Sequence, residues 1–331
     1  MKRCILLALS PVKFGGWVTF TRHLARALRS QGYAPHIVRI GKRSERKMRD
    51  YGDGLGYQNL SLLDACSAVL GSGRGLVVYS AWRKCAEQLP ALLDAGAGLV
   101  LHDPTEWKGG GVLPYLPGRR VVAIRRANVA ALSALGVQAR FVPHPWAPTE
   151  VDVDRAPTCR AVAISRIDFD KATHIIADAN QRVAPACRVQ LHGAENRIYT
   201  HHKLDKEFPG WRANYHGRFP PNPGFARWLA AGAECVVDLS TIAGDGGGTQ
   251  YTFMEAWQAG RPLVVNRGWL RGDDDTMSEG VNCAAVADAA ELAGVLEGSL
   301  DAGLVEGGRA TLTGHRAEAV VPALVDALGW S

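Results

Sequence analysis

Continuous apolar runs alternate with amphipathic ones from the first residues of the chain. Residues 4–10, CILLALS, are apolar up to Ser10, the pattern of a parallel strand buried on both faces. After a glycine-bearing loop, PVKFGG, the segment WVTFTRHLARALRSQG repeats its apolar positions at helical spacing and stops at Gly32. PHIVRI (35–40), GLVVYS (75–80), GLVLHD (98–103) and RVVAIRR (120–126) continue the strand series, with helical stretches between most of them. Strand–helix–strand repetition of this kind predicts a doubly wound parallel sheet. A proline-rich aperiodic stretch, VPHPWAPTEVDVDRAPT (142–158), interrupts the alternation and reads as an interdomain linker. The pattern restarts at RAVAIS (160–165), with a helix over 171–183, strands at CRVQLHG (187–193) and ECVVDLS (234–240), a helix over 250–259 and a strand at PLVVN (262–266). The tail 307–330 predicts a single closing helix. The expected fold is α/β: two Rossmann-like domains, 1–145 and 159–306, facing a cleft, with ligands at the carboxyl ends of the strands. A C-terminal helical segment, 307–331, is left free to cross back to the first domain.

Composition changes this picture little. At 331 residues the chain has room for two cores, and 47% hydrophobic with 21% charged residues is the balance of a soluble globular protein. No apolar run is as long as a membrane span, and CILLALS lacks a signal-peptide cleavage site, so the expected location is the cytoplasm. Seven cysteines (4, 66, 85, 159, 187, 235, 283) form no Cys-x-x-Cys pair, which suggests neither a zinc site nor a disulfide framework. Charge is more informative. Residues 1–150 hold 21 Lys and Arg against 9 Asp and Glu, a net +12, whereas the remainder holds 17 against 23, a net −6. The densest basic run, GKRSERKMR (41–49), reads either as a solvated loop or helix face or as part of a surface for a polyanion; a half-chain at +12 favours the second.

Candidate chemistry falls at the strand ends. Gly15 and Gly16 lie between the first strand and the first helix; SPVKFGGWVTF lacks the G-x-G-x-x-G spacing, which disfavours a dinucleotide oxidoreductase. The pair either lets a phosphate or sugar approach the helix start or simply makes a tight turn. His102 and Asp103 end the GLVLHD strand, where a polar pair can orient a hydroxyl or share a proton, or where Asp103 caps a helix. In SRIDFDK, Arg166 and Lys171 are two cations suited to a diphosphate, or else Arg166 is a surface ion pair with Asp168 or Asp170. Gly193, Glu195 and Arg197 follow another strand. The segment GGGTQYTFMEAWQAG (246–260) brings glycines to a helix start, an anion-binding arrangement, with Glu255 less than two turns inside.

Taken together, these residues resemble a retaining glycosyltransferase of the GT-B fold. SRIDFDK is similar to that family's Arg…Lys diphosphate clamp, and YTFMEAWQAGRPLVV to the segment whose Glu holds the ribose of a nucleotide-sugar. The resemblance implies that Arg166 and Lys171 bind the donor diphosphate and that Glu255 binds the ribose. Gly15, Gly16, Gly193, Glu195, Gly247, Gly248, Thr249, Tyr251 and Thr252 complete the donor set, and the first domain takes the acceptor. It further implies a UDP-sugar donor, catalytic roles for His102, Asp103, Arg166 and Lys171, and no essential metal, since cations and a helix N-terminus meet the leaving-group charge. One departure is plain: many relatives carry a second Glu eight residues before the first, and Gly247 stands there, with Asp245 the nearest carboxylate. Within the family, QYTFME, LHD and GAENR resemble phage α-glucosyltransferases acting on 5-hydroxymethylpyrimidines in DNA. That implies double-stranded DNA as partner, a flipped base, and the host cytoplasm. Lys42, Arg43, Arg46, Lys47, Arg49, Arg119, Arg120, Arg125 and Arg126 are then the candidate backbone contacts.

Three other readings stay open. A GT4-type transferase of surface polysaccharide or glycolipid would need an exposed apolar patch beside the basic one, and GKRSERKMR offers little. A nucleotide-sugar epimerase would share the fold. A nucleic-acid-binding module without activity would have no use for Arg166, Lys171 and Glu255 together.

Overall fold

The apolar runs become the centres of two parallel sheets. The computed structural model describes residues 1–330 except 10–14, 53, 79–82, 103–104, 109–110, 149–154, 219–223, 243–246 and 272–275, and omits the side chains of 83, 84 and 271. The chain divides into two compact units, Met1–Pro148 with Gly314–Ser331, and Thr149–Thr313.

In the first unit β1 (Lys2–Ala8) is central, its residues Cys4 to Leu7 fully buried, and α1 (Gly16–Ser30) follows. Then come β2 (Tyr33–Ile40), β3 (Met48–Gly52), β4 (Leu55–Leu60), α2 (Leu62–Ser72), β5 (Gly75–Val78), α3 (Arg83–Asp94), β6 (Gly98–Leu101), α4 (Thr105–Lys108), β7 (Val121–Ala123), α5 (Arg126–Ala134) and β8 (Ala139–Phe141). The eight strands run in the order β3-β4-β2-β1-β5-β6-β7-β8. All pair in parallel except β3, which is antiparallel to β4 at the sheet edge. The basic run 41–49 is therefore a loop over 41–47 leading into an edge strand. Its half-exposed residues lack the continuous apolar run of a buried strand, so periodicity does not mark it. Glycine is required at the turn: Gly52 has φ 100°, and a Cβ there would sit 2.3 Å from the Arg22 guanidinium, which reaches over from α1 to Tyr51 O at 2.7 Å.

The second unit carries β9 (Cys159–Ile164), α6 (Thr173–Arg182), β10 (Val189–His192), the single turns α7 (Arg197–Tyr199) and α8 (Asp205–Glu207), α9 (Phe225–Ala231), β11 (Ala233–Asp238), α10 (Tyr251–Gln258), β12 (Leu263–Asn266), β13 (Ala284–Val286), α11 (Ala289–Glu297) and α12 (Gly303–Thr313). Its sheet, β10-β9-β11-β12-β13, is wholly parallel. A separate apolar core, built around Ala161, Val189, Cys235, Val237 and Leu292, packs against it.

Two expectations are corrected. The tail is two helices, not one: α12 belongs to the second unit, and α13 (Ala317–Leu328) packs on α1 and β7 of the first. The break lies at 314–316, where the His315 carbonyl accepts the Trp146 N–H and its ring Nδ1 lies 2.8 Å from the His144 carbonyl oxygen. Arg316 is extended, with ψ 159°, as that arrangement demands. The first part of the proline-rich stretch is likewise packed chain, not free linker. Trp146 is buried and stacks on His23 at 4.8 Å, and Ala147 N–H donates to His23 Nδ1.

Candidate functional site

The carboxyl end of β11 and the start of α10 converge on one cation. Lys171 Nζ donates to Ser240 Oγ at 2.6 Å and to Gln250 Oε1 at 3.2 Å. Ser240 is itself held by Asp238, a buried carboxylate at the end of β11 that accepts both its N–H (3.0 Å) and its hydroxyl. Lys171 closes a short 3-10 turn, and Ala172 after it adopts φ 43°, a left-handed conformation that costs a non-glycine residue roughly 1–2 kcal/mol. This strained joint separates the turn from α6, so the expected continuous helix from 171 starts at Thr173 instead.

The glycine stretch is a fixed turn. Gly247 and Gly248 are buried with φ 83° and 86°, values that exclude a side chain without strain. The Gly248 carbonyl accepts the Trp269 indole N–H at 2.7 Å, and Trp269 meets Phe253 of α10 edge-on at 5.8 Å. Thr249 is buried, Gln250 supplies no side-chain cap to α10, and Thr252 Oγ1 lies 3.5 Å from the carbonyl of Ile164 at the end of β9. Tyr251 opens the helix and is half-buried.

Glu255 is less free than expected for a ribose acceptor. Its Oε2 lies 3.0 Å from Arg227 Nε on α9, both side chains nearly buried. Burial lowers the Arg227 guanidinium pKa, while Glu255 opposes that shift. Arg166 and Lys171 have different partners within the fold. The Arg166 guanidinium, 61% exposed, is taken by Asp168 at 2.8 Å and Asp170 at 3.0 Å, because carboxylates two and four residues on lie closer than any distant anion. Gly193 is explained by packing: a Cβ would stand 1.7 Å from Ser165 O, so β9 and β10 could not approach at their ends. Glu195 pairs with Arg212 at 3.1 Å, and Arg212 stacks on Trp211 and reaches Asp205. Glu195, Arg197, Ile198, His201, Asp205 and Arg212 line an open depression of about 540 Å³. His192, at the end of β10, stacks on His216, and burial together with that neighbour pushes its pKa down to about 4.

In the first unit, Gly15 and Gly16 are exposed at the start of α1, and among the described residues nothing lies within 4 Å of a Cβ at either position. His102 is buried at the end of β6. Glu106 of α4 accepts the His102 backbone N–H and the Trp17 indole N–H. Asp103 and Asp245 lie outside the described residues.

The basic residues do not form one stripe. Lys42, Arg43, Arg46 and Lys47 are exposed at the carboxyl end of β2, and Arg49 on β3 pairs with Glu45. Arg119 and Arg120 precede β7, at the opposite end of the parallel strands and four strand spacings away, roughly 19 Å. Arg119 pairs with Asp94, Arg120 donates to the carbonyls of Leu328 and Gly96, and Arg126 stacks on Phe141. Arg125 is 7% exposed. Arg120 and Arg125 are therefore spent inside the fold and are withdrawn as backbone contacts. Among the described residues no group of three or more His, Cys, Asp or Glu could hold a metal ion, and no helix is long and apolar enough to cross a membrane.

Glu106, Arg227, Asp238, Ser240 and Trp269 escaped sequence reasoning. Asp238 and Ser240 end the ECVVDLS strand, so position alone could have flagged them; Glu106, three residues past the GLVLHD strand, and the Arg227–Glu255 pair have no such signal.

No protein-family model matches the sequence, and no curated protein matches it either. Solved structures do. HepE of Anabaena in complex with UDP-glucose superposes with a TM-score of 0.71 at 15% identity, covering 99% of this chain and 100% of that one. A point mutant of TarM of S. aureus, in a complex that includes UDP, gives 0.68 at 9% identity, with coverage of 99% and 100%. An α-glucosyltransferase in complex with UDP and a 13-mer DNA containing an HMU base gives 0.69 at 12% identity and 99% coverage of both chains. Two parallel-sheet units in one chain, superposing end to end on these proteins, have the GT-B glycosyltransferase fold.

Proposed function

We propose that the chain is a retaining glycosyltransferase that moves a sugar from a nucleotide-sugar, UDP-linked, to the hydroxymethyl group of a modified pyrimidine in DNA. The observation that carries the transferase reading is Lys171, held by Ser240 and Gln250 beside the rigid Gly247–Gly248 turn and the start of α10. A fixed ammonium, backbone N–H groups and a helix dipole at one place favour a diphosphate whose charge grows as it leaves. Solved proteins of this fold with UDP or UDP-glucose bound support a donor of that class.

In the reaction the bond from sugar C1 to the donor phosphate oxygen breaks, and a bond from C1 to the acceptor oxygen forms on the same face. The acceptor proton passes to the departing phosphate oxygen. Lys171 stabilises that oxygen, and Arg166 joins it on release from Asp168 and Asp170. His102 orients the acceptor hydroxyl. Because cations meet the leaving-group charge, turnover is expected to persist in excess EDTA; complete loss that added Mg²⁺ or Mn²⁺ restores would refute this account.

The DNA acceptor is supported by the net +12 of residues 1–150, by the exposed loop 41–47, and by the DNA-bound α-glucosyltransferase of the same fold. A second reading, transfer to a surface polysaccharide or glycolipid, is favoured by a different observation. Leu63 and Leu70 of α2 are 76% and 67% exposed and Met48 is 50% exposed. The basic loop is tied to the start of that helix, Ser44 bonding Asp64 and the Ser61 N–H. Transfer from labelled nucleotide-sugars to plain, hydroxymethylcytosine and hydroxymethyluracil DNA, and to anionic vesicles carrying a polyprenyl or glycerolipid acceptor, decides between them. Labelling of hydroxymethylated DNA alone supports the first reading; labelling of lipid alone replaces it with the second.

A further inference from the structure

Burying a carboxylate is costly unless hydrogen bonds replace its water, and Glu106 is only 3% exposed. Its two oxygens are divided between two chain segments. Oε1 accepts the indole N–H of Trp17 at 2.8 Å, from a residue 89 positions earlier. Oε2 accepts the backbone N–H of His102 at 2.5 Å, and Oε1 also lies 3.6 Å from His102 Nδ1. Trp17 immediately follows Gly15-Gly16 at the start of α1, and His102 follows the last residue of β6. One buried carboxylate thus fixes the glycine turn and the end of β6 relative to each other. The His102 ring is set edge-on to Phe20, with centroids 4.7 Å apart, and neither ring nitrogen has a hydrogen-bond partner among the described residues. The imidazole is aimed by its surroundings, with Nδ1 toward Glu106 and Nε2 without a hydrogen-bond partner among the described residues.

We propose that Glu106 is a positioning residue for sugar transfer, a clamp that sets His102, which orients the acceptor, in register with the Gly15–Gly16 turn, which faces the donor sugar. The inference rests on the transferase reading above. It also explains why a carboxylate stands there. Two N–H donors converge on it, and a neutral glutamine accepts with one oxygen while turning an N–H toward the second donor.

The test is a set of three variants, E106Q, W17F and W17F/E106Q. In E106Q the amide oxygen serves one donor and the amide nitrogen confronts the other, so kcat is expected to fall about tenfold to a hundredfold, the loss typical of a charge-assisted hydrogen bond. UDP binding, carried by Lys171 and the start of α10 in the other unit, stays within about twofold of wild type. Removing the indole N–H breaks the same bridge from its other end, so W17F is expected to lower kcat as well, and W17F/E106Q to lose no more, within about twofold, than the poorer single variant, a non-additivity that general damage does not produce. In ¹H–¹⁵N spectra the Trp17 indole resonance of the wild type is expected downfield, shifting upfield in E106Q. An unchanged kcat in E106Q, an unmoved indole resonance, or losses that multiply in the double variant each overturns the clamp. If wild-type protein transfers sugar to none of the acceptors, the transferase reading falls instead, and the indole resonance still reports whether Glu106 joins the two segments.

Discussion

Lys171 and Glu255 differ in what the fold has already done with them. The lysine is held by two neutral oxygens, Ser240 Oγ and Gln250 Oε1, so its charge is fixed in place and not cancelled. Lys171→Ala is expected to cut kcat at least about a hundredfold, the scale of losing a positioned charge from a transition state, with little change in the urea midpoint. A wild-type rate in K171A would remove the lysine from the mechanism. Glu255 is paired with the buried Arg227, so removing either partner breaks a buried ion pair. Arg227→Met is expected to lower stability by ~3 kcal/mol, measured by urea unfolding, and to weaken UDP binding because the Arg227 contact no longer holds Glu255. Equal stability of R227M and wild type would show that the pair contributes nothing. Lys171 and Glu255 stood out in the sequence by place, one near a helix start after the RAVAIS strand and the other inside the helix that follows the glycines. Arg227 did not: it meets Glu255 across two helices, and contacts at a separation of 28 residues leave no periodic trace. For Arg166 the sequence offered both a diphosphate contact and an ion pair with Asp168 or Asp170, since spacing cannot tell a local carboxylate from a bound phosphate, and the structure shows the ion pair with both.

At the scale of elements, the turn before α10 joins the fold to the site. Gly247 and Gly248 both take left-handed backbone, Trp269 pins the second carbonyl, and Gln250 leads to the helix start beside Lys171. Alanine at either glycine is expected to cost ~1–2 kcal/mol from the backbone alone. If the strain relaxes by shifting the turn, affinity for UDP falls more than stability does. Calorimetric titration and urea unfolding of G247A and G248A separate the two; undiminished affinity with lowered stability would confine the glycines to a structural role. The place where relatives carry a second carboxylate is thus a backbone position that a glutamate could occupy only with strain. Strands buried on both faces were legible because every residue in them is apolar. The strands β3, β4, β8 and β13, at or next to the sheet edges, were not, since short or half-exposed strands lose the continuous run. The tail reads as one helix because its apolar spacing continues through 314–316, and only the contacts of His315 with His144 and Trp146 show why the backbone must break there.

For the molecule as a whole, acid acts on both units through buried histidines. His144 in the first unit lies among Arg125, His102, His315 and His23, and burial, then those neighbours, hold its pKa well below the ordinary value. In the second unit, burial and His216 bring His192 down to about 4. Both are neutral in the folded chain under conditions where the unfolded chain, titrating near ~6.5, takes up protons. Stability from this source is therefore complete above about pH 6.5 and declines as pH falls toward 4, by up to ~1.4 kcal/mol per pH unit for each histidine. The carboxylates held low by hydrogen bonds, such as Asp288 by the Ala290 and Glu291 N–H groups, lose their contribution only at lower pH, near and below their own range. The two windows can be separated experimentally. Urea midpoints at pH 7.5, 6 and 5 are expected to fall in wild type, and His192→Gln is expected to flatten that decline in the second unit while leaving the fall below pH 4 in place. An equally steep decline in H192Q would assign the acid sensitivity elsewhere, with His144→Gln as the next variant to measure.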